Sequence, residues 1–423
     1  MGLVPKPRTI TKTESTSSDS KNRKQKRNQN QTACRDYIWK VLAVGLIPLC
    51  LFFVLKSNWF HRSSEHSNKG QIKVKGGPPR INALSKPPRT GIKMESTNVH
   101  PKTTNNSTAP LRIQIASDLH IEFFREDEDL NFLIEPKAPI LALLGDIGYA
   151  CTQQLRKFLL SQSDRFEEVW FLAGNHEYYN SHRTHYSVTE QNAWMQQVAS
   201  ERPNLKYLEK AAIPMLNGSV VVLATTLWSD IPDNYLEEAE HSLSDYSLSY
   251  NHKPFETTPR LLRATETRQW YRDNLNWLQT QLQTIYDQNK LQAQQQQQHS
   301  IIANKPAAPQ IKVVVLTHHT PLMTGTSAPQ YEGMDSTHCF SSDLQSLLIH
   351  PYSPIEVWAC GHTHYNFDLA LAVQRSRRGN GGNKELVRVV SNQRGYQDRP
   401  KPDYRADGLF WKYILPGNKK MEQ

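Results

Sequence analysis

Residues 141–150 read LALLGDIGYA, an apolar run that stops at Gly145-Asp146. A short apolar run bounded by a turn signal fits a buried strand. Gly-Asp at a strand end is ordinarily only a turn, because glycine permits positive φ and aspartate bonds to nearby backbone. The other strand-like runs change that reading. LRIQIASDLH (111–120) finishes in Asp118-Leu119-His120, and EEVWFLAGNHE (167–177) in Gly174-Asn175-His176-Glu177. IKVVVLTHHT (311–320) reaches His318-His319, and IEVWACGHTH (355–364) ends in Gly361-His362-Thr363-His364. Helical patterns separate these runs, the alternation expected of an α/β domain. In open α/β sheets, ligands bind beyond the carboxyl ends of the strands. Five polar sets are therefore expected to converge on one edge, with Asp146 facing metal.

The residue types suit that task. Imidazole and carboxylate bind Zn, Mn or Fe without any thiolate. A single carboxylate can bridge two cations, and Asp146 is placed to do so. Two cations about 3.5–4 Å apart can hold both the attacking oxygen and an ester oxygen of a phosphate.

Asp118-x-His120, Gly145-Asp146, Gly174-Asn175-His176-Glu177, His318 and Gly361-His362-x-His364 together resemble the five blocks of the calcineurin-like metallophosphoesterases, over residues 111 to about 397. The resemblance implies an α/β fold of two packed mixed β-sheets flanked by helices, a four-layer sandwich. It implies one metal on Asp118, His120, Asp146 and His364, and a second on Asp146, Asn175, His318 and His362. Asp146 would serve both, and His176 would be the acid near the leaving group. His319 is expected behind the ligands, although its adjacency to His318 leaves the choice between them open. The implied reaction is hydrolysis of a phosphate mono- or diester by in-line attack of a metal-held hydroxide, with two Mn, Zn or Fe ions as cofactors. The alternative is a non-catalytic docking or trafficking module that keeps the fold, which the complete set of ligand blocks disfavours.

Departures narrow the resemblance. Protein serine/threonine phosphatases continue the second block as Gly-Asp-x-Val-Asp-Arg-Gly, and GDIGYA lacks that Asp and Arg. Purple acid phosphatases carry Gly-Asp-x-x-Tyr, which Tyr149 matches, but they lack the histidine found here at position 120. Tyr149 is therefore expected to pack. TTLWSD (225–230) and SNQRGY (391–396) look like poorly defined small metallophosphoesterases, which gives no substrate.

The 423 residues carry 50 Lys/Arg and 40 Asp/Glu, a net +10. Residues 1–109 hold 20 and 5 of these, so +15, leaving 30 and 35, so −5, for 110–423. The basic charge thus lies outside the enzyme-like part, and no nucleic-acid partner is expected. The five cysteines fit neither a zinc ribbon nor a disulfide framework, and Cys360 reads as a buried thiol.

Residues 1–37 are polar and basic and are expected to be a disordered tail. Ile38 to Leu55 is an apolar run interrupted only by Lys40, flanked by Tyr37, Trp39 and Trp59. That pattern predicts a transmembrane signal anchor over 38–55. Residues 56–109 read as a disordered stem. Seven Lys/Arg in 21–40 against five in 56–75, with sequons at Asn105, Asn106 and Asn217, point to a type II protein of the secretory pathway (ER/Golgi) with a lumenal catalytic domain. The domain is expected over 110–420. Within it, Trp270, Asn274, Trp277, Leu278, Leu282 and Ile285 recur at helical spacing as a packing face. A polar insertion at about 287–310, containing Gln294 to Gln298, is expected to be a disordered loop. Loops 244–260 and 324–340 are expected to shape the substrate pocket.

Overall fold

The computed structural model describes residues 111–181, 184–251, 259–299, 310–374 and 384–413. The tail, anchor and stem expected over 1–109 lie outside the described residues. Among the described residues, no helix is long and apolar enough to cross a membrane.

The strands, in chain order, are β1 (Leu111–Ala116), β2 (Ile140–Leu144), β3 (Glu168–Leu172), β4 (Leu205–Tyr207), β5 (Ala211–Met215), β6 (Val220–Ala224), β7 (Tyr250–Asn251), β8 (Arg260–Leu261), β9 (Lys312–Leu316), β10 (Ile355–Cys360), β11 (Asp368–Gln374), β12 (Lys384–Ser391) and β13 (Leu409–Tyr413). They form a sheet ordered β13-β1-β2-β3-β4 and a second ordered β11-β12-β10-β9-β6-β5, with β7 and β8 as a small hairpin. In the first sheet, β1 to β4 run parallel and β13 is antiparallel at the edge. In the second, β6, β9, β10 and β12 are parallel, and β5 and β11 close the edges antiparallel. These are the two mixed sheets that the resemblance implied.

The central strands are Val-, Ile- and Leu-rich because both of their faces are covered. One face of each sheet meets the other in a shared apolar layer that includes Ile113, Leu144, Trp170, Val222, Val314 and Val357. The opposite faces carry helices, so a single strand has no solvent side to mark with polar residues. The helix Ala264–His299 covers the second sheet through the expected face, with Asn274, Leu278, Leu282 and Ile285 all buried.

This helix corrects one expectation. The insertion read as a loop from about 287 is helical as far as His299, and 300–309 lie outside the described residues. Gln, Leu, Lys and Ala are good helix formers, and extending a helix that is already nucleated adds a hydrogen bond for each residue fixed. Asn289 ties the extension down: its side chain donates to Ile311 O at 2.9 Å and accepts from Ile311 N at 2.7 Å.

Candidate metal centre

The five runs end where expected. β1, β2 and β3 of one sheet and β9 and β10 of the other all deliver their C-terminal loops to the same edge. These loops brace one another through the backbone. Asp118 N donates to Gly145 O, His120 N to Asp146 O, and Gly361 N to His318 O, each at 2.9–3.0 Å. Five of the eight candidate side chains stand on left-handed backbone: Asp118, His120, Asp146, His362 and His364, with φ from 49° to 75°. Each such residue costs on the order of 1–3 kcal/mol, which persists only where the surroundings over-determine it and is typical of functional sites.

Two glycines are required by close approach. A Cβ on Gly174 would lie 2.2 Å from Asp146 Oδ1 and 2.7 Å from His318 Cε1. One on Gly145, which has φ +84°, would lie 2.5 Å from Gly174 N and 2.6 Å from His318 Nδ1. The backbone of these two blocks is thus packed against the donor atoms themselves.

Two donor groups result. Asp118, His120, Asp146 and His364 offer donor atoms within 4.8 Å of one another, and so do Asp146, His318 and His362. Asp146 belongs to both. Its Oδ2 is 3.9 Å from His120 Nε2, and its Oδ1 is 3.4 Å from His318 Nε2. Asn175 joins the second group, with Oδ1 3.2 Å from His318 Nε2.

The donor chemistry fits divalent cations. His120 Nε2 and His364 Nε2 face each other at 2.9 Å, and His318 Nε2 faces His362 Nδ1 at 3.1 Å. Each pair can share at most one proton, whereas two lone pairs can share a cation. Asp118 and Asp146 are buried, and among the described residues no Lys or Arg pairs with either. A buried carboxylate without a cationic partner is costly. Burial lowers His362 well below the usual imidazole range, and the nearby His319 and His318 push the same way, which keeps its lone pair free for metal.

His318 and His319 differ in position, and only His318 stands among the donor atoms. His318 Nδ1 donates to Leu144 O at 2.8 Å, aiming Nε2 into the donor group. His319 lies behind, 4.2 Å from the His362 ring and 5.3 Å from Trp228. Burial, then the nearby His318, lower it to about 3.

His176 stands beside Asp146, with Nε2 4.0 Å from Oδ2. Burial lowers its basicity, but Asp146 and the bond to Glu122 outweigh that and push it up to about 9. Divalent charge at the neighbouring donors would draw it back down.

Three residues had been given no role in the sequence. Glu122 is buried and its Oε1 accepts from His176 Nδ1 at 2.8 Å and lies 3.2 Å from His120 Nδ1, directing both Nε2 atoms inward. Asp245 accepts from Asn175 Nδ2 at 2.8 Å and Tyr179 OH at 2.7 Å, which turns Asn175 Oδ1 toward His318. Glu177 accepts backbone N–H bonds on both oxygens, from Asp146 and Gly174 on Oε2 and from Ile147 and Gly148 on Oε1. Burial and the charge of Asp146 push its carboxyl up to about 7, against the pull of those N–H groups. Donors on both oxygens leave no acceptor for a carboxyl proton, so the cradle suits the anion. Gln393, within SNQRGY, accepts from His364 N at 2.5 Å and fixes the last block.

The centre forms the floor of a cavity of about 550 Å³. Leu243, Ser244 and Leu248 form part of its wall, as do Ala328, Gln330 and Phe340, so both expected loops do shape it. Tyr149, expected to pack, lies against the rings of His176 at 6.2 Å and Tyr179 at 6.1 Å and also lines the cavity. It belongs to neither donor group. Cys151, Cys339 and Cys360 are free thiols, and Cys360 is buried as expected.

Comparison with known proteins adds to this geometry. The model of the family described as calcineurin-like phosphoesterase matches residues 111–366. The uncharacterized protein L509 of Acanthamoeba polyphaga mimivirus is 27% identical over 269 residues, which cover 60% of this chain and 84% of that protein. The crystal structure of phosphopantetheinyl hydrolase from Mycobacterium tuberculosis aligns with a TM-score of 0.46 at 15% identity, over 75% of this chain and 100% of that one.

Proposed function

The chain belongs to the calcineurin-like phosphoesterase family and is a metal-dependent hydrolase of phosphate esters; from that premise we propose a dinuclear centre acting at the end of an N-terminal membrane anchor. The observation that carries the dinuclear reading is Asp146, whose two oxygens face two separate donor groups. Asp118, His120, Asp146 and His364 would hold one cation, and Asp146, Asn175, His318 and His362 the other. Bound there, divalent cations supply Lewis-acid stabilisation of the phosphate oxygens and lower the pKa of the attacking water.

The remaining roles fall to the chain. Glu122 accepts the Nδ1 proton of His176 and supports the imidazolium, whose Nε2–H is left toward the cavity. As the water oxygen bonds phosphorus and the bond to the ester oxygen breaks in line, His176 gives its proton to the departing alkoxide. Glu122 likewise orients His120, as carboxylates behind metal-ligating histidines do. Asp245 keeps the Asn175 amide oxygen turned toward the second group.

The anchor reading rests on the apolar run 38–55 with its aromatic flanks, and the secretory, lumenal reading on charge distribution and sequons. Full-length protein loaded with Mn or Zn, assayed on a panel of phosphomonoesters and diesters, tests the reaction. Metal-dependent hydrolysis that Asp146→Asn abolishes is the expected result. Hydrolysis of no member of the panel would count against it.

A further inference from the structure

The cavity wall is not electrically uniform. Its floor carries the donor groups, and Asp245 below is engaged by Asn175 and Tyr179. Apart from the donor groups, His176 and Asp245, the charged side chains lining the cavity are Arg399 and Lys401, both cationic. No carboxylate among the lining residues answers them. Arg399 is exposed and has only Asp398, itself exposed, beside it at 3.4 Å. Such a surface pair contributes little and is easily exchanged for a better anion.

Lys401 is held more firmly. Its stem lies over Gly395: a Cβ built on that glycine would be 3.4 Å from Lys401 Cγ and 3.5 Å from Cε. Gly395 has φ +78°, and Lys401 N donates to Arg394 O at 2.7 Å. The turn that braces Asp118, through Gly395 N donating to Asp118 O, therefore also places this ammonium on the cavity wall.

The same cavity also presents an aromatic surface. Phe123 is 48% exposed, far more than an aromatic ring needs to be beside a buried centre, and it meets Tyr396 edge-on at 5.5 Å. Both line the cavity, and Tyr396 also lies 4.7 Å from the His364 ring. A cavity of about 550 Å³ is of the size that takes a small organic ligand.

We propose that the substrate is a small organic phosphate ester bearing a second phosphate. The scissile phosphate sits on the floor, the organic body lies against Phe123 and Tyr396, and the second phosphate is read by Arg399 and Lys401. The assignment rests on the phosphoesterase reading for its first phosphate, but its second rests on the wall alone. Guanidinium and ammonium groups bind phosphate through charge-assisted hydrogen bonds, and two such groups on the wall of the same cavity favour a substrate with a second phosphate.

The test compares a nucleoside monophosphate with the nucleoside bisphosphate phosphorylated on two separate hydroxyls. Full-length protein loaded with Mn is assayed with and without the pair Arg399→Gln and Lys401→Gln. The native protein should favour the bisphosphate in kcat/KM by about tenfold or more, mainly through KM, and added salt should shrink the preference. In the double variant the ratio should fall toward one. Binding of the bisphosphate to His176→Ala protein, by calorimetry, should weaken by about the same factor when the two cations are also replaced. A ratio and a binding constant that ignore both substitutions overturn the proposal, as does native preference for the monophosphate. If nothing is hydrolysed but the cation-dependent binding persists, the hydrolase reading has failed and with it the scissile phosphate, while the reading of a phosphate by Arg399 and Lys401 stands.

Discussion

Glu177→Gln should unfold the metal centre from behind, without touching a metal ligand. In the native chain, Glu177 Oε2 accepts from Gly174 N at 2.6 Å and Asp146 N at 2.9 Å, while Oε1 accepts from Ile147 N at 2.7 Å and Gly148 N at 3.4 Å. Glutamine keeps one oxygen and turns the other into an NH2 group facing two N–H donors. Whichever way the amide points, two bonds to a charged acceptor are lost, and the remaining pair loses its charge. Hydrogen bonds to charged groups contribute about 1.5–3 kcal/mol each, so the two lost bonds amount to roughly 3–6 kcal/mol. Domains of this kind are stable by about 5–15 kcal/mol, so the loss is a large fraction of the whole. Urea unfolding of metal-free protein, followed by circular dichroism, measures it as a shift in midpoint at unchanged slope. The freed backbone carries Asp146, so metal affinity should fall as well. A stability change below about 1 kcal/mol, with metal affinity intact, would refute the idea that this carboxylate sets the geometry of two blocks at once.

Further outcomes follow from the same geometry. His176→Ala should slow hydrolysis of alkyl phosphates by roughly 10²–10⁴-fold and of nitrophenyl phosphate much less, because nitrophenolate hardly needs a proton; equal losses on both would move His176 from leaving group to phosphoryl oxygens. Metal affinity should rise with pH. Burial lowers His318, but Asp146 outweighs it and raises the imidazole to about 9, so metal must displace a proton. Each proton displaced makes the affinity about tenfold higher per pH unit below that value, and a flat profile from pH 6.5 to 9 would contradict it. In the metal-free chain the sign is the reverse: the stability contributed by protonated His318 and His176 is complete below about 6.5 and is lost as pH rises through about 9. Full-length protein should resist alkaline carbonate extraction, and a chain lacking residues 1–59 should not; glycosidase-sensitive mass dependent on Asn105, Asn106 or Asn217 should place the domain in the lumen, whereas digestion of the domain in sealed microsomes would reverse the orientation.

The ligand blocks were legible because each ends a strand buried on both faces, where any polar residue stands out against an apolar run. β2, with every residue buried, followed by Gly145 and Asp146, is the clearest instance. The parts behind the ligands were not legible. Glu122 is close in sequence to His120, yet nothing local says that it also reaches His176, 54 residues away. Asp245 meets Asn175 across 70 residues, and its surrounding Ser- and Tyr-rich segment looks like any loop. Tyr149 does pack, against Tyr179 and His176, but that it also lines the cavity is decided by those distant neighbours and was not legible. The helix from Ala264 was read short for the opposite reason: beyond Ile285 its apolar period fades, while its propensity to stay helical does not.

The central claim is that one carboxylate, Asp146, joins two cations. It is tested most directly by stripping full-length protein of metal, adding back Mn in measured equivalents, and recording bound metal together with nitrophenyl phosphate hydrolysis. Two equivalents should bind, activity should level off only as the second site fills, and Asp146→Asn should lose metal from both sites. Saturation at one equivalent with full activity, or an Asp146→Asn protein that keeps both ions, would contradict it.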